Sequence, residues 1–378
     1  MVKGAPVVKD ASVPLEEAGG LLTIDLAALR ANYQEVARRV GPAETAGVVK
    51  GDGYGLGLAP VASALWDAGA RSFFVALPGE ARTLRETLPD ATIHVLNGLF
   101  EGSPPLYRAL RLHPVLGSEA EIARWNGFCA EIGQPLPAAV HVDTGMNRLG
   151  LSATEAVSLA EMRHELHFPI ALVMSHLASA DEPGHPLAAR QLEDFRAIAG
   201  LFPDVKASLA NSAGVMSGPA YHFDLVRPGI AVYGGRPRAD IAPLRPVVRL
   251  ELRIVQIRHV HAGETVGYGG AHTVLRASRV AILSAGYADG IPRRAGASDL
   301  RPGAEAVIAG HRCPLIGRIS MDLLAVDVTD VPDDAVAAGD WAVLLGDGLG
   351  LDDLARHSQT IDYEILTSLG RRYRRLWA

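Results

Sequence analysis

Between Leu21 and Arg245, eight short apolar runs alternate with amphipathic helical stretches. The runs end near Lys50, Leu77, Asn97, Leu116, Thr144, His176, Asn211 and Ile230. Parallel neighbours in a sheet cannot be joined by a tight turn and need a crossover, usually a helix. Repeated strand–helix units therefore predict an α/β fold, and eight of them predict a closed (β/α)8 TIM barrel. A doubly wound open sheet is the competing architecture, since periodicity alone does not distinguish the two. One helical stretch sets Leu192, Phe195, Ala199 and Phe202 at steps of three or four, a stripe to bury against the sheet.

The pattern changes after Pro246. Arg249-Leu250-Glu251-Leu252-Arg253-Ile254 alternates polar and apolar residues with period two, as a half-exposed strand does. Val307-Ile308, Leu323–Val328 and Trp341–Leu345 continue as short strands separated by Gly and Pro punctuation such as Arg301-Pro302-Gly303. Two domains follow: a barrel over residues 1–245, with 1–20 as an N-terminal extension, and a mainly β domain over 246–378.

A net charge of −6 argues against a nucleic-acid or anionic-membrane surface, and leaves the basic run Arg371–Arg375 as a local feature. Cys129 and Cys313 stand far apart, without metal-ligand spacing, so neither a disulfide framework nor a metal site is indicated. No apolar run reaches membrane length, and Met1–Gly20 lacks the hydrophobic core of a signal peptide. A soluble cytoplasmic protein is the expectation.

In a TIM barrel the functional residues stand at the C-terminal ends of the strands. Here Lys50, Asp143–Arg148, Ser175-His176, Asn211-Ser212 and Arg227–Ile230 all fall at such ends. A lysine at an apolar strand end is either a snorkelling surface group or a desolvated amine fit for Schiff-base or proton-transfer chemistry. Asn211-Ser212 reads as a helix cap, and equally as an anion site.

Six separated motifs carry a resemblance over nearly the whole chain. They are Val48–Gly55 (VVKxxxYG), Asp143–Gly150 (DTGMNRLG), Ala210–Ala213, Val226–Ile230, Val266–Gly269 with Gly286–Gly290, and Gly317–Asp322. In this order they resemble the alanine racemases, fold-type III enzymes dependent on pyridoxal 5′-phosphate (PLP). The resemblance implies a homodimer with shared active sites, acting on a small amino acid and supplying D-alanine for peptidoglycan. It implies that Lys50 holds PLP covalently and serves as base on one face of the substrate α-carbon. Tyr268, contributed by the second subunit, would serve the other face, with the lysine-bound cofactor, Arg148 and His176 as candidates for the positive neighbour or hydrogen-bond network that lowers its pKa. Tyr54, Asn211, Ser212, Gly229, Ile230 and Tyr363 would hold the phosphate end, His176 would pack beside the ring, and Arg227 would face the pyridine nitrogen. Arg148 and the Met321 N–H would meet substrate, with Tyr287 and Asp322 at the entrance.

Arg227 carries chemical information by itself. A guanidinium has only donors and does not deprotonate in proteins, so a nitrogen facing it must accept and stay unprotonated. That weaker electron sink favours return of the proton over side reactions. Related decarboxylases generally present an acid there. They remain one alternative, beside a racemase for serine or several amino acids and a barrel-only PLP carrier, which would lack the second domain. The chain departs from its relatives at two places. His141 stands where many carry a carbamylated lysine that offsets the nearby arginine, so the charge of Arg148 is left to another group, a bound anion or water. Gly51 and Gly53 stand where alanine is usual, and nothing in the sequence explains them.

Overall fold

A computed structural model of the chain describes residues 13–378, so the N-terminal extension lies outside the described residues as far as residue 12. The described residues form two compact units, one of residues 26–245 and one that joins the segment ending at Asp25 to Pro246–Ala378.

In the first unit, Gly47–Val48, Ser72–Val75, Thr92–Val95, Leu112–Leu116, Ala138–His141, Ile170–Met174 and Lys206–Ser208 form a parallel sheet in chain order. Leu225–Val226 closes it. That strand pairs in parallel with Glu44–Thr45, which runs through Ala46 into the first strand, and Ala46 N donates to Val226 O at 2.9 Å. On its other side Asp224 N donates to Ala207 O at 3.1 Å, and Ser208 Oγ to Leu225 O at 2.6 Å. The eight strands anticipated from the alternation therefore make a closed barrel, and the open doubly wound sheet does not occur. The helix Pro186–Gly200 buries Gln191, Leu192, Phe195 and Ile198, so the stripe is rotated from the sequence expectation toward Ile198 and away from Ala199. Phe202 is buried just beyond the helix end.

The barrel core carries a column of rings. His94 stacks on Phe74 with centroids 4.6 Å apart, and His113 meets His94 edge-on at 5.0 Å. Neither histidine's Nδ1 has a hydrogen-bond partner among the described residues. Burial holds both imidazoles neutral: His94 is pushed well below its ordinary pKa, and His113 down to about 4, with the Arg85 charge assisting.

The second unit contains one eight-stranded sheet. Its longest strand, Val248–Val260, alternates buried and half-buried residues from Val248 to Ile254. The alternation breaks at Val255, 45% exposed, where the register to Ser278–Leu283 shifts by a bulge. Glu305–Ile308, His311–Ile316, Leu324–Asp327 and Trp341–Leu345 match the short strands anticipated there. Gly20–Ile24, which the sequence reading counted with the barrel, belongs to this sheet instead. It lies antiparallel to Val248–Leu252 and parallel to Arg374–Trp377, with Leu22 and Ile24 fully buried. Partners more than two hundred residues apart leave no local trace in the strand's own pattern.

The neutral barrel histidines have a pH signature. A pKa depressed on folding adds stability that is present above the unfolded value, about 6.5, and lost as pH falls through the folded value. Denaturant midpoints should drop between pH 6.5 and about 4, and His113→Phe should make the drop shallower; a pH-independent midpoint would count against these assignments.

Candidate functional site

Lys50 follows the first barrel strand directly and opens the turn Lys50–Tyr54. Gly51, Asp52, Gly53 and Tyr54 have φ of 64°, 55°, 62° and 55°, a left-handed turn of four consecutive residues. Such backbone costs a residue with a Cβ about 1–2 kcal/mol, so glycine at positions 51 and 53 removes half of that cost. This is the reason for the two glycines that the sequence left unexplained. Gly53 N donates to Val49 O at 2.9 Å, and Gly55 N to Gly51 O at 2.7 Å. The Asp52 carboxylate accepts from Leu58 N at 2.8 Å and seats the following helix. Burial lowers the Lys50 pKa, and the charges of Arg148 and Arg227 lower it further, against an opposing pull from Glu80.

A second group of residues gathers where Ser212, Gly229 and Tyr54 meet. Ser212 Oγ, buried, accepts from Gly229 N at 2.9 Å and Ala231 N at 3.2 Å. The buried Ile230 N–H between them has no acceptor among the described residues. A Cβ added at Gly229 would lie 2.0 Å from the Tyr54 hydroxyl, so the ring occupies the space a side chain would take. Tyr54 stacks on Tyr233 at 4.3 Å, and Tyr233 donates to Val48 O at 2.9 Å. Asn211 caps the helix Ser212–Met216 by accepting from Gly214 N at 2.9 Å, which is the plainer of its two anticipated roles.

Arg227 is buried and, among the described residues, bonded only to neutral oxygens: Ser208 Oγ, Ser175 O at 2.5 Å and Leu209 O at 3.4 Å. Its Nε–H has no acceptor among the described residues. Burial draws its pKa down to about 9, which leaves it cationic at neutral pH. His176, in the next strand-end loop, is held neutral by burial first and by Arg227, Lys50, Arg148 and His141 after it. Held neutral, His176 offers no positive charge, which leaves hydrogen bonding as the way it could act on a neighbour. Gln191, fully buried and missed in the sequence, fixes this loop. Its Nε2 donates to His176 O at 2.9 Å and to Thr144 Oγ1 at 3.2 Å, and its Oε1 accepts from Ala178 N at 2.8 Å. Its only sequence signal was a polar residue next to an apolar stripe, which usually means a helix flank.

Arg148 is exposed and forms no ion pair among the described residues. The Asp143 carboxylate beside it is spent on its own loop, accepting from Gly145 N and Met146 N at 2.9 Å each. His141, buried, has its pKa lowered to about 4 by burial and the Arg227 charge, so it supplies no negative partner. Tyr268, Tyr287, Met321, Asp322 and Tyr363 belong to the C-terminal unit, and Lys50, Arg148, His176, Ser212 and Arg227 to the barrel. Tyr268 is 69% exposed, in a Gly267–Gly270 turn. Tyr287 N donates to Ser320 O at 3.1 Å and Ala288 N to Met321 O at 3.0 Å, tying those two loops together. Arg372 binds Asp289 through two nitrogens and Asp322 through a third. No cluster of potential metal ligands occurs among the described residues.

Comparison with known proteins agrees with this geometry. Residues 24–237 match the family model "Alanine racemase, N-terminal domain", and residues 247–377 match "Alanine racemase, C-terminal domain". The chain is 52% identical over 358 residues to the alanine racemase of Methylobacterium nodulans, covering 94% of this chain and 95% of that one. It is 47% identical over 368 residues to the biosynthetic alanine racemase of Agrobacterium fabrum, covering 95% and 94%. Among solved structures, the alanine racemase of Bartonella henselae with covalently bound pyridoxal phosphate superimposes with a TM-score of 0.89. That alignment is 39% identical and covers 96% of this chain and all of the other.

The contact between Gly229 and Tyr54 is testable in isolation. Gly229→Ala should destabilise the protein by about 1–3 kcal/mol, as overpacking does. Combining it with Tyr54→Phe should return part of the loss in a double-mutant cycle of thermal midpoints. Additive losses would show that the ring and the glycine do not meet.

Proposed function

The chain belongs to the alanine racemase family, and we propose that it interconverts L- and D-alanine, with Lys50 serving one face of the α-carbon and Tyr268 of the partner subunit the other. The cofactor is PLP, which when bound supplies the electron sink that makes the α-proton labile. The residues fit it. Lys50 would hold the aldehyde end; Ser212, Gly229, Ile230, Tyr54, Asn211 and Tyr363 would hold the phosphate, and the Ile230 N–H, without an acceptor among the described residues, favours one there. His176 packs beside the ring as a neutral imidazole. The single observation that carries the reading is Arg227, a buried cation bonded, among the described residues, only to neutral oxygens and still able to donate through Nε. It favours an unprotonated pyridine nitrogen, and hence proton return over decarboxylation or transamination.

Racemisation requires a proton carrier on each face, because one group alone returns the proton to the face it left. The lowered pKa of Lys50, set by burial first and by Arg148 and Arg227 after it, favours its use as a proton carrier. Tyr268 stands exposed on a glycine-rich turn, which suits a group presented to another subunit. Arg148 and the Met321 N–H receive the substrate carboxylate, and Tyr287 and Asp322 flank the entrance. We further propose a homodimer in the cytoplasm supplying D-alanine for the cell wall, with the barrel domain ending at residue 245 and the strand Gly20–Ile24 belonging with the domain from 246. The biosynthetic relative of Agrobacterium fabrum supports that supply role. None of the helices described is long and apolar enough to cross a membrane.

Purified protein should be yellow, and borohydride should trap the cofactor on Lys50; a colourless protein, or label elsewhere, would overturn the assignment. In deuterated water L-alanine should give D-alanine carrying deuterium at the α-carbon, whereas release of carbon dioxide would point to a decarboxylase. Tyr268→Phe should slow α-proton exchange from L-alanine more than from D-alanine. Equal slowing of both would refute the division between the two faces.

A further inference from the structure

Glu80 occupies the third position of the helix Pro78–Thr87, and its two oxygens serve two different strand ends. Oε2 accepts from Ala76 N at 2.8 Å and Leu77 N at 3.1 Å, which caps Glu80's own helix after the second barrel strand. Oε1 accepts from Gly51 N at 2.6 Å and Asp52 N at 3.3 Å, in the turn that follows Lys50 after the first strand. Those two amides have no other acceptor among the described residues. A cap needs only one of the oxygens. The other spans 29 residues of sequence to reach the turn.

We propose that Glu80 is a positioning residue for Lys50, its carboxylate fixing the left-handed turn from which the lysine projects. The inference rests on Lys50 being the covalent anchor and one-face base of the racemase reading. Gly51 and Gly53 let the turn form, yet they give it no side chains to pack, so hydrogen bonds must hold it. The Gly51 N–H belongs to the same peptide unit as the Lys50 carbonyl, so Oε1 grips the chain one bond away from the residue whose amine must reach a fixed atom. A misplacement of about 1 Å in such a group costs on the order of 10²-fold in rate. Glu80 also pulls the lysine's pKa up against burial and two arginines.

The test uses full-length protein and two readouts: amide hydrogen exchange at Gly51 and Asp52 in the cofactor-free chain, and kcat and KM for alanine in the holoenzyme. Glu80→Ala should speed exchange at both amides by about 5- to 10-fold, the loss of one ordinary hydrogen bond. It should lower kcat about 10- to 100-fold with KM within about twofold. Ala81→Gly, in the same helix, should lower the thermal midpoint while leaving exchange at Gly51 and Asp52 and kcat as they are. Glu80→Gln keeps one acceptor oxygen, so either the Gly51/Asp52 pair or the Ala76/Leu77 pair should lose protection; this variant decides should Glu80→Ala not fold. Unchanged protection of all four amides, or a kcat loss that Ala81→Gly matches at equal thermal midpoint, would overturn the proposal. If the unmodified protein itself fails to racemise alanine, the functional reading fails, and the exchange data still decide whether Glu80 holds the turn.

Discussion

One buried guanidinium organises the barrel end of the site. Arg227 is fixed by oxygens from two neighbouring strand ends, Ser175 O on one side and Ser208 Oγ and Leu209 O on the other, and among the described residues no carboxylate bonds to it. Removing a cation from water is expensive unless it is paired or hydrogen-bonded, and here neutral oxygens replace the water. The uncancelled charge acts on its surroundings. It depresses the pKa of Lys50, His94, His141 and His176, in each case adding to burial. Burial first, and this uncancelled charge after it, hold the neighbouring imidazoles neutral and lower the lysine's pKa.

The barrel was legible because its signal is local: each strand and helix carries its own period. The placement of Lys50, Ser212, Arg227 and Gly229 after barrel strands was legible because each stands in an ordered motif. What escaped the sequence was whatever depends on distant partners. Gly20–Ile24 is an ordinary apolar strand until Val248–Leu252 and Arg374–Trp377 are placed on its two edges. Gln191 resembles the flank of a stripe, and only the fold turns it inward onto Thr144 and the loop after Ser175. Glu80, third in its helix, has the look of a routine cap, and half of it is one.

Gly51 and Gly53 show the same limit from another side. The sequence marks them as departures from relatives, while the reason lies in φ, which no neighbouring residue specifies. Four left-handed residues in succession are costly in a chain of L-amino acids. The turn persists because its backbone donors are met by Val49 O, Gly51 O and one carboxylate. Permissive residues and an external acceptor together make rigid what either alone would leave loose.

The placement of Gly20–Ile24 also bears on the order in which the molecule is completed during synthesis. Its strand partners begin at Val248 and end at Trp377, so this sheet is not complete until residues 374–377 have left the ribosome. All of the barrel lies between, and its closing strand, Leu225–Val226, emerges more than a hundred residues before Arg374. During that interval Leu22 and Ile24 have no sheet to enter, and an unpaired apolar strand is an aggregation hazard. The nascent chain thus carries an apolar strand ahead of a barrel whose own strands are already made, and Arg374–Trp377 later takes one of its edges.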